Sequence, residues 1–244
     1  IYMLVPGLVL ILGLLLTWIE VADIRQQETG KALAELNIRS DELITDLERR
    51  LSYNGGILQG VTGLFASSDQ VSRDEFMRYV QQLNLPVYNP GIQMIGYSDY
   101  IPDAGKQSHI AAVRAEGFPD YDITPTGMRE HYSPMVYIAS PDAQYVQLMG
   151  DDILAEPLKM QAASQARDSA SVVMTGKLPA REETTHHPVP DVFLFSPVYQ
   201  NNLPVSTVEQ RRAALKGWVS AAIRFDALLR HHLQQADSDF SHQI

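Results

Sequence analysis

The chain has 244 residues, enough for one hydrophobic core or two small ones, and a formal net charge of -10 at pH 7. This acidic balance excludes a sequence-independent grip on nucleic-acid phosphates, so we predict no nucleic-acid partner. Because the sequence contains no Cys, disulfides, thiolate nucleophiles and Cys-based zinc sites are excluded as well.

An uncharged apolar run extends from Met3 to Ile19 at the start of the chain. At about 1.5 Å per residue, a helix of this length approaches the ~30 Å hydrocarbon core of a membrane. A cleaved signal peptide is the alternative, but Glu20 stands where its cleavage site needs a small residue. We therefore predict a transmembrane anchor over residues 1–19.

A helical pattern of apolar residues follows over residues 20–68, as in Leu43, Leu47 and Leu51. A single helix of this length cannot bury its apolar seam alone, so we expect it to lie along its own domain or to pair with a second copy. The four glycines between positions 55 and 63 favour a bend or close packing near its end. We predict a long stalk and dimerisation helix.

Proline marks the start of the next region, because thirteen of the fourteen prolines lie between Pro86 and Pro204. Amphipathic helices are predicted at 73–83, where Ser72 is a candidate N-cap, and at 106–116, 156–167 and 225–236. Strands are predicted at 92–97, 135–138, 172–175, 192–199 and 218–225. Strands at uneven spacing with helices between them indicate an α+β domain around a mainly antiparallel sheet.

Motifs of catalysis and metal binding are missing from the sequence, which has no Gly-x-Ser-x-Gly elbow, P-loop or His-Glu-x-x-His. His186 and His187 are adjacent, and neighbouring strand residues point to opposite faces, which disfavours a shared metal ion. Arg129, Glu130 and Asp168 are candidates for an internal ion pair. We predict no catalytic residues, no metal and no cofactor.

Short sequence words recur in a fixed order along the predicted strands and loops. They are Pro90-Gly91-Ile92-Gln93, Gly96-Tyr97, Phe118-Pro119-Asp120-Tyr121, Arg129-Glu130-His131-Tyr132-Ser133-Pro134, Val136-Tyr137-Ile138, Gly150-Asp151-Asp152, Glu156-Pro157, Ala166-Arg167-Asp168 and Phe195-Ser196-Pro197-Val198-Tyr199. From Asp74 to Phe225 this ordered set resembles the CHASE family, extracellular sensory domains attached to cyclases and histidine kinases, including the plant cytokinin receptors.

The resemblance implies a transmembrane anchor and a stalk helix that carries two PAS-like antiparallel-sheet subdomains. We expect a membrane-distal ligand-binding subdomain over 69–200, a membrane-proximal part with an exit helix over 201–236, and a connection toward a second transmembrane helix over 237–244. The implied partners are a small molecule such as a cytokinin-like purine, the membrane, and a second copy of the chain. The implied location is the inner or plasma membrane, with the sensory domain periplasmic or extracellular.

The resemblance and strand alternation together suggest six ligand-binding residues: Asp151, Met174, Thr185, Ser196, Tyr137 and Leu194. Asp151 matches the aspartate that hydrogen-bonds the purine in cytokinin-binding members, and Met174 and Thr185 match positions at the pocket wall. Ser196 stands where those receptors tend to carry an aromatic residue, which weakens the case for a purine. Tyr137 and Leu194 follow from strand alternation alone.

Each candidate also has a plain structural interpretation. Asp151 or Asp152 is suited to cap the helix that follows Ile153, and the other candidates are suited to core packing. The sequence therefore predicts the ligand-binding domain of a membrane receptor, with a ligand-free dimerisation or partner-binding module as the alternative. An extracytoplasmic hydrolase is a third class, but it lacks a catalytic motif.

Overall fold

The computed structural model describes residues 48–179 and 190–225, together with Trp18, Asp41, Ile44 and Thr45. The chain forms two compact units, residues 1–52 and 53–244. The described residues of the first unit are helical, and the Thr45 hydroxyl donates a 2.8 Å hydrogen bond to the Asp41 carbonyl one turn earlier.

The second unit is built on a five-stranded antiparallel sheet in the order β4-β1-β7-β6-β5. Its strands are β1 (Ile92–Asp99), β4 (Met135–Ala139), β5 (Val173–Met174), β6 (Val192–Tyr199) and β7 (Leu215–Ile223). A separate small sheet pairs β2 (Ile101–Pro102) with β3 (His131–Tyr132). The three central strands β1, β7 and β6 are buried along almost their whole length, so both faces of the large sheet are covered.

The described residues of the second unit also form six helices. They are α1 (53–66), α2 (Arg73–Gln82), α3 (Leu85–Tyr88), α4 (Lys106–Ala115), α5 (Pro157–Ser169) and α6 (Val208–Ala214). Short 3-10 turns occupy Asp103–Gly105, Ala143–Leu148 and Ile153–Ala155. Ser72 caps α2, as predicted, and Glu75 completes a capping box by bonding back to the Ser72 backbone.

One face of the sheet, the α1 face, packs against α1 and α2. Leu58, Val61 and Phe65 of α1 join Phe76 and Val80 of α2 in one buried cluster with the sheet. These residues recur at three- and four-residue steps, which places them on one side of each helix. The apolar seam of this part of the predicted stalk is therefore buried in its own domain.

The opposite face, the α5 face, packs against α5. The helix contributes only alanines to the buried cluster, Ala162, Ala163 and Ala166, and these small side chains let the helix lie close to the large residues of the sheet. Trp218 of β7 is 1% exposed and its indole N–H donates a 2.9 Å bond to the Ala163 carbonyl. Phe195 of β6 is fully buried beside it.

A third cluster packs α4 against the small sheet. Ile110 and Val113 of α4 contact Tyr121, Ile123 and Tyr132. This cluster extends the domain beyond the β4 edge of the large sheet, because Val136 of β4 belongs to it as well.

The predicted α+β class with an antiparallel sheet is confirmed. All five predicted strands are present, although β7 begins earlier than expected, at Leu215. Helices α2, α4 and α5 agree with the prediction to within two residues. The expected boundary between residues 200 and 201 falls between β6 and β7, which are hydrogen-bonded neighbours in one sheet.

Several predicted segments fall outside the described residues. They are the anchor over 1–19 apart from Trp18, most of the stalk before residue 48, and the helix at 225–236 apart from Phe225. Within the part of the chain that the structure describes, no helix combines the length and the hydropathy needed to cross a membrane.

Candidate functional site

Residues 150–152 form a fixed turn between β4 and the segment around Thr124. Gly150 adopts a φ of +85°, and a methyl group there would overlap the Asp122 carbonyl oxygen, so the position requires glycine. Thr124 N donates to the Gly150 carbonyl at 2.9 Å, and Met135 N donates to the Asp151 carbonyl at 3.0 Å. The turn is thus tied on both sides, and it presents two successive carboxylates in fixed directions.

Asp152 points inward and has no exposed side-chain surface. Its Oδ1 accepts bonds from Ser133 N at 2.8 Å and Leu154 N at 3.0 Å, and its Oδ2 accepts one from Arg129 Nε at 2.9 Å. A buried carboxylate with this many donors is well satisfied. Asp152 therefore caps the 3-10 turn Ile153–Ala155, whereas the predicted helix that follows, α5, is capped by Glu156.

The expected ion pair among Arg129, Glu130 and Asp168 is wrong. Arg129 binds Asp152, its neighbour across the turn. Asp168 lies at the end of α5, where Arg212 of α6 approaches it to 2.6 Å and Arg167 to 2.7 Å. Asp168 is therefore paired with Arg212 and Arg167, and not with Arg129.

Asp151 is half-buried and makes one side-chain bond, from the Thr124 hydroxyl to Oδ1 at 3.0 Å. In the described part of the chain its second oxygen has no hydrogen bond. Asp151 therefore keeps an acceptor that is not committed to the fold, unlike Asp152.

Three other predicted residues lie on the α1 face, away from this turn. Leu194 is buried in the cluster with α1 and α2. Ser196 Oγ lies 2.9 Å from the Thr62 hydroxyl of α1, and the Tyr137 hydroxyl donates a 3.0 Å bond to the Val71 carbonyl. The structure gives these side chains structural contacts with the helices and does not bring them together with Asp151.

Met174 and Thr185 complete the predicted set. Met174 lies on the edge strand β5 opposite Leu194, with 41% of its surface exposed. Thr185 lies outside the described residues, as do His186 and His187. Elsewhere in the chain, the residues that the structure describes contain no group of three or more His, Asp or Glu placed to hold a metal ion.

Sequence analysis missed the residues at the centre of the α5 face. Gly96 of β1 lies opposite Ser220 of β7, and a methyl group on Gly96 would overlap the terminal methyls of Met94 and Met135. The Ser220 hydroxyl is fully buried and has no hydrogen-bond partner among the described residues. A glycine and a serine inside otherwise apolar strands are the signal that marks this position.

Hydrogen bonds connect the turn at 150–152 with Ser98, which lies on the same strand as Gly96. Ser98 Oγ of β1, two residues from Gly96, accepts a 3.1 Å bond from Ser133 Oγ, and Ser133 N bonds to Asp152. Met135 is bonded to Asp151 and Gly150 through its backbone. The turn and the polar centre of the α5 face therefore belong to one continuous region, which we take as the candidate ligand site.

Comparison with curated proteins found no match to this chain. Residues 69–244, more than half of the chain, match the family model of the CHASE domain. The matched range contains the whole sheet, the turn at 150–152 and the polar centre of the α5 face. The chain therefore belongs to the CHASE family, the extracellular sensory domains of signalling receptors, as its ordered sequence words predicted.

Proposed function

We propose that this chain binds a small molecule on the α5 face of its sheet and passes the resulting change through α1 toward a membrane. The full protein would then carry a cytoplasmic output domain, either a histidine kinase or a nucleotide cyclase or phosphodiesterase of the diguanylate type. Membership of a sensory, non-catalytic family supports a receptor over a hydrolase.

The observation that carries this proposal is the unpaired hydroxyl of Ser220. A buried polar group without a partner costs about 1–3 kcal/mol, so folded proteins rarely keep one without a use. Met94 and Met135 adjoin this centre, and methionine side chains adapt their shape more easily than branched ones. A ligand that displaces the two methyl groups would reach the Ser220 hydroxyl.

Asp151 supplies the second contact of the proposed site. Its uncommitted oxygen suits a ligand N–H or a cationic group, because a charge-assisted bond is stronger than a neutral one. A cytokinin-like purine has N–H donors of this kind and serves as the first probe.

Strand β6 offers a route from the ligand to α1. Successive residues of a strand point to opposite faces, so Phe195 lies on the α5 face while Ser196 meets Thr62 of α1. A ligand that shifts β6 on one face would move the contact with α1 on the other.

Ser220→Ala tests the proposal directly. Because the Ser220 hydroxyl has no hydrogen-bond partner among the described residues, the free energy of unfolding should stay level or rise. Affinity for an adenine with an apolar N6 substituent, measured by calorimetry on the full chain, should fall. If Ser220→Ala lowers stability and leaves the affinity unchanged, Ser220 has a structural role and the ligand site is elsewhere.

Asp151→Ala tests the second contact. Loss of a charge-assisted hydrogen bond should weaken binding of the same adenine probe by roughly tenfold to a hundredfold, while the melting temperature changes little. Asp120→Ala is the control, because Asp120 is exposed and its loss alters the net charge equally. A drop in melting temperature with unchanged affinity would mark Asp151 as structural.

One observation favours the alternative, a ligand-free dimerisation or partner-binding module. The methyl groups of Met94 and Met135 lie against Gly96, so the protein's own side chains occupy the position above that residue. If the domain binds no member of a small-molecule library while the full chain is dimeric by sedimentation, this alternative replaces the receptor proposal.

A further inference from the structure

Helix α1 carries a polar residue in its buried, otherwise apolar side. Asn54 precedes Leu58, Val61 and Phe65 at steps of four, three and four residues, so all four side chains lie on the same side of the helix. Leu58, Val61 and Phe65 pack in the buried cluster of the α1 face. Asn54 is buried as well, with 2% of its surface exposed. The apolar side of α1 therefore begins with an amide.

The amide of Asn54 is shielded from water without a compensating bond. Its Nδ2 is a hydrogen-bond donor and has no partner among the residues that the structure describes. A buried donor without an acceptor opposes folding, whereas an apolar side chain of similar volume would avoid this cost. The start of α1 is therefore held less firmly than its buried position would allow.

Glycines weaken the same part of the helix. Gly56 is exposed, and a methyl group there would meet no atom within 4 Å, so close packing does not require glycine. Gly55 also has room for a methyl group, which would lie 3.8 Å from the Val172 side chain. Glycine in a helix is less stable than alanine, because its unfolded backbone has more freedom. These two residues lower the helical stability of the chain directly after Asn54.

The second half of α1 is fastened by hydrogen bonds. Thr62 Oγ1 lies 2.9 Å from Ser196 Oγ of β6, and the side-chain amide of Asn201 donates to two carbonyls where the helix ends. Within the described part of the chain, no side chain of residues 53–57 makes a hydrogen bond to the sheet. The two halves of the helix are thus attached to the domain with unequal strength.

We propose that residues 53–57 are a releasable start of α1, which opens and loses its helical bonds while residues 58–66 stay docked. Opening gives the Asn54 amide access to water, so the residue that costs stability in the closed state favours the open one. The bonds of Thr62 and Asn201 keep the opening from spreading. The proposed function passes a change through α1, and this inference names the part of α1 that yields.

Hydrogen exchange of the full chain in detergent, without ligand, tests the opening. After correction for intrinsic rates, amides of residues 54–58 should exchange faster than those of residues 62–66, because only the first set lies in the part that opens. Low concentrations of urea should accelerate the second set more than the first, because a local opening exposes little surface.

Asn54→Leu should close the releasable start. It removes the buried amide and continues the apolar side of the helix, so exchange of residues 54–58 should slow by roughly tenfold or more. Gln59→Leu is the matched control, because Gln59 is exposed on the same helix and an equivalent change there should leave these rates unaltered.

Gly56→Ala is a second variant that leaves the buried side of the helix intact. It should also slow exchange of residues 54–58, whereas Gly63→Ala should not, because Gly63 has equal room for a methyl group but lies in the docked half. Equal rates for the two sets of amides in the wild type, or unchanged rates for residues 54–58 in either variant, would overturn the proposal. Neither result affects the ligand proposal, because no ligand is present.

Discussion

Adjacent aspartates in the turn at 150–152 have unlike environments. The side chain of Asp152 is closed off from solvent and bonded to two backbone N–H groups and to Arg129. Asp151 is half-buried and accepts a single hydrogen bond, from the Thr124 hydroxyl. Gly150, which precedes both, has a left-handed backbone, and the turn that it begins places Asp151 beside Thr124 and Asp152 beside Ser133 and Arg129. Asp152 stabilises the turn with three hydrogen bonds, and Asp151 contributes one.

Asp152→Ala should destabilise the domain strongly. It leaves Arg129 and two backbone N–H groups without their acceptor, and breaking a buried pair in this way costs about 3–5 kcal/mol. Asp151→Ala is the matched comparison and should cost about 1 kcal/mol or less, because it removes one exposed hydrogen bond. Urea unfolding measures both. Equal losses would contradict the unequal roles derived from their contacts.

Residue-scale assignments were only partly predictable from the sequence. Strand alternation correctly shows which residues share a face, but here both faces of the sheet are covered by helices, so apolarity alone does not distinguish them. Leu194 was assigned to a ligand pocket by strand alternation and Ser196 by the family resemblance, and both have contacts on the α1 face. Ser220 was missed because its unpaired hydroxyl is visible only in three dimensions.

Helix α1 is held at several points along its length. Thr62 meets Ser196 of β6, and the Asn201 side-chain amide donates to the carbonyls of Phe65 and Ser68 at 3.3 and 3.2 Å, where the helix ends. Lys216 Nζ adds a 3.0 Å bond to the Asp69 carbonyl just beyond. The last turn of a helix leaves carbonyls without partners, and these side chains supply them.

A double-mutant cycle of Thr62→Val and Ser196→Ala tests the bond between α1 and the sheet. Each change removes one partner of the 2.9 Å contact without a large change in volume. We expect the two losses of unfolding free energy to be non-additive by about 0.5–1.5 kcal/mol. Additive losses would show that the two hydroxyls act independently.

Asp168 joins the end of α5 to α6 and makes the domain sensitive to acid. Its hydrogen bond with Arg212, assisted by Arg167, holds the pKa of Asp168 well below the ordinary 3.8. The stabilising effect is therefore present above 3.8 and is lost as the pH falls toward the folded pKa.

Asp168→Asn should remove that part of the pH dependence. The loss at neutral pH should be about 1 kcal/mol or less, because the Arg212 side chain is 55% exposed and solvent screens the pair. Urea unfolding at neutral pH and at pH values below 3.8 measures the difference, with Asp120→Asn as an exposed control. A variant that retains the full acid sensitivity of the wild type would contradict this role.

Elements with strong patterns were predictable, and short ones were not. Helices α2, α4 and α5 have ten residues or more. Helix α6 has seven residues and its capping box at Thr207 and Gln210 was overlooked, while β2 and β3 have two residues each, too few to show any alternation. Strands β2 and β3 are determined by their pairing with each other, and this distant contact produces no local pattern in the sequence.

At the scale of the whole molecule, the proposed receptor requires that ligand binding on one face of the sheet changes the contacts of the other face. The two faces of one sheet serve different partners, the proposed ligand on the α5 face and α1 on the other. Because the sheet between them is a single layer, a strand that shifts on the ligand side would also change its contacts with α1. A second copy of the chain, joined through the stalk, would combine two such responses.

Leu47→Glu tests the proposed homodimer. Leu47 belongs to the apolar repeat of the predicted stalk, and a charge in a helix pair should weaken association by several-fold or more. Sedimentation of the full chain in detergent measures the change, and Glu48→Gln on a neighbouring exposed position is the control. An unchanged sedimentation profile with the fold intact would remove the support that the sequence gives to a dimer.

The central position of β7 also affects how the domain folds during synthesis. This strand, Leu215–Ile223, lies between β1 and β6. The central strand of the sheet is therefore synthesised after the other four. While a nascent chain emerges from the ribosome or a secretion channel, β1 and β6 each wait with an unpaired edge, and such edges invite aggregation. Pairing Ile92–Asp99 with a strand more than a hundred residues later also slows folding, because distant contacts close long loops. We therefore expect chains truncated before Leu215 to bind chaperones and to be degraded by proteases more readily than the full chain.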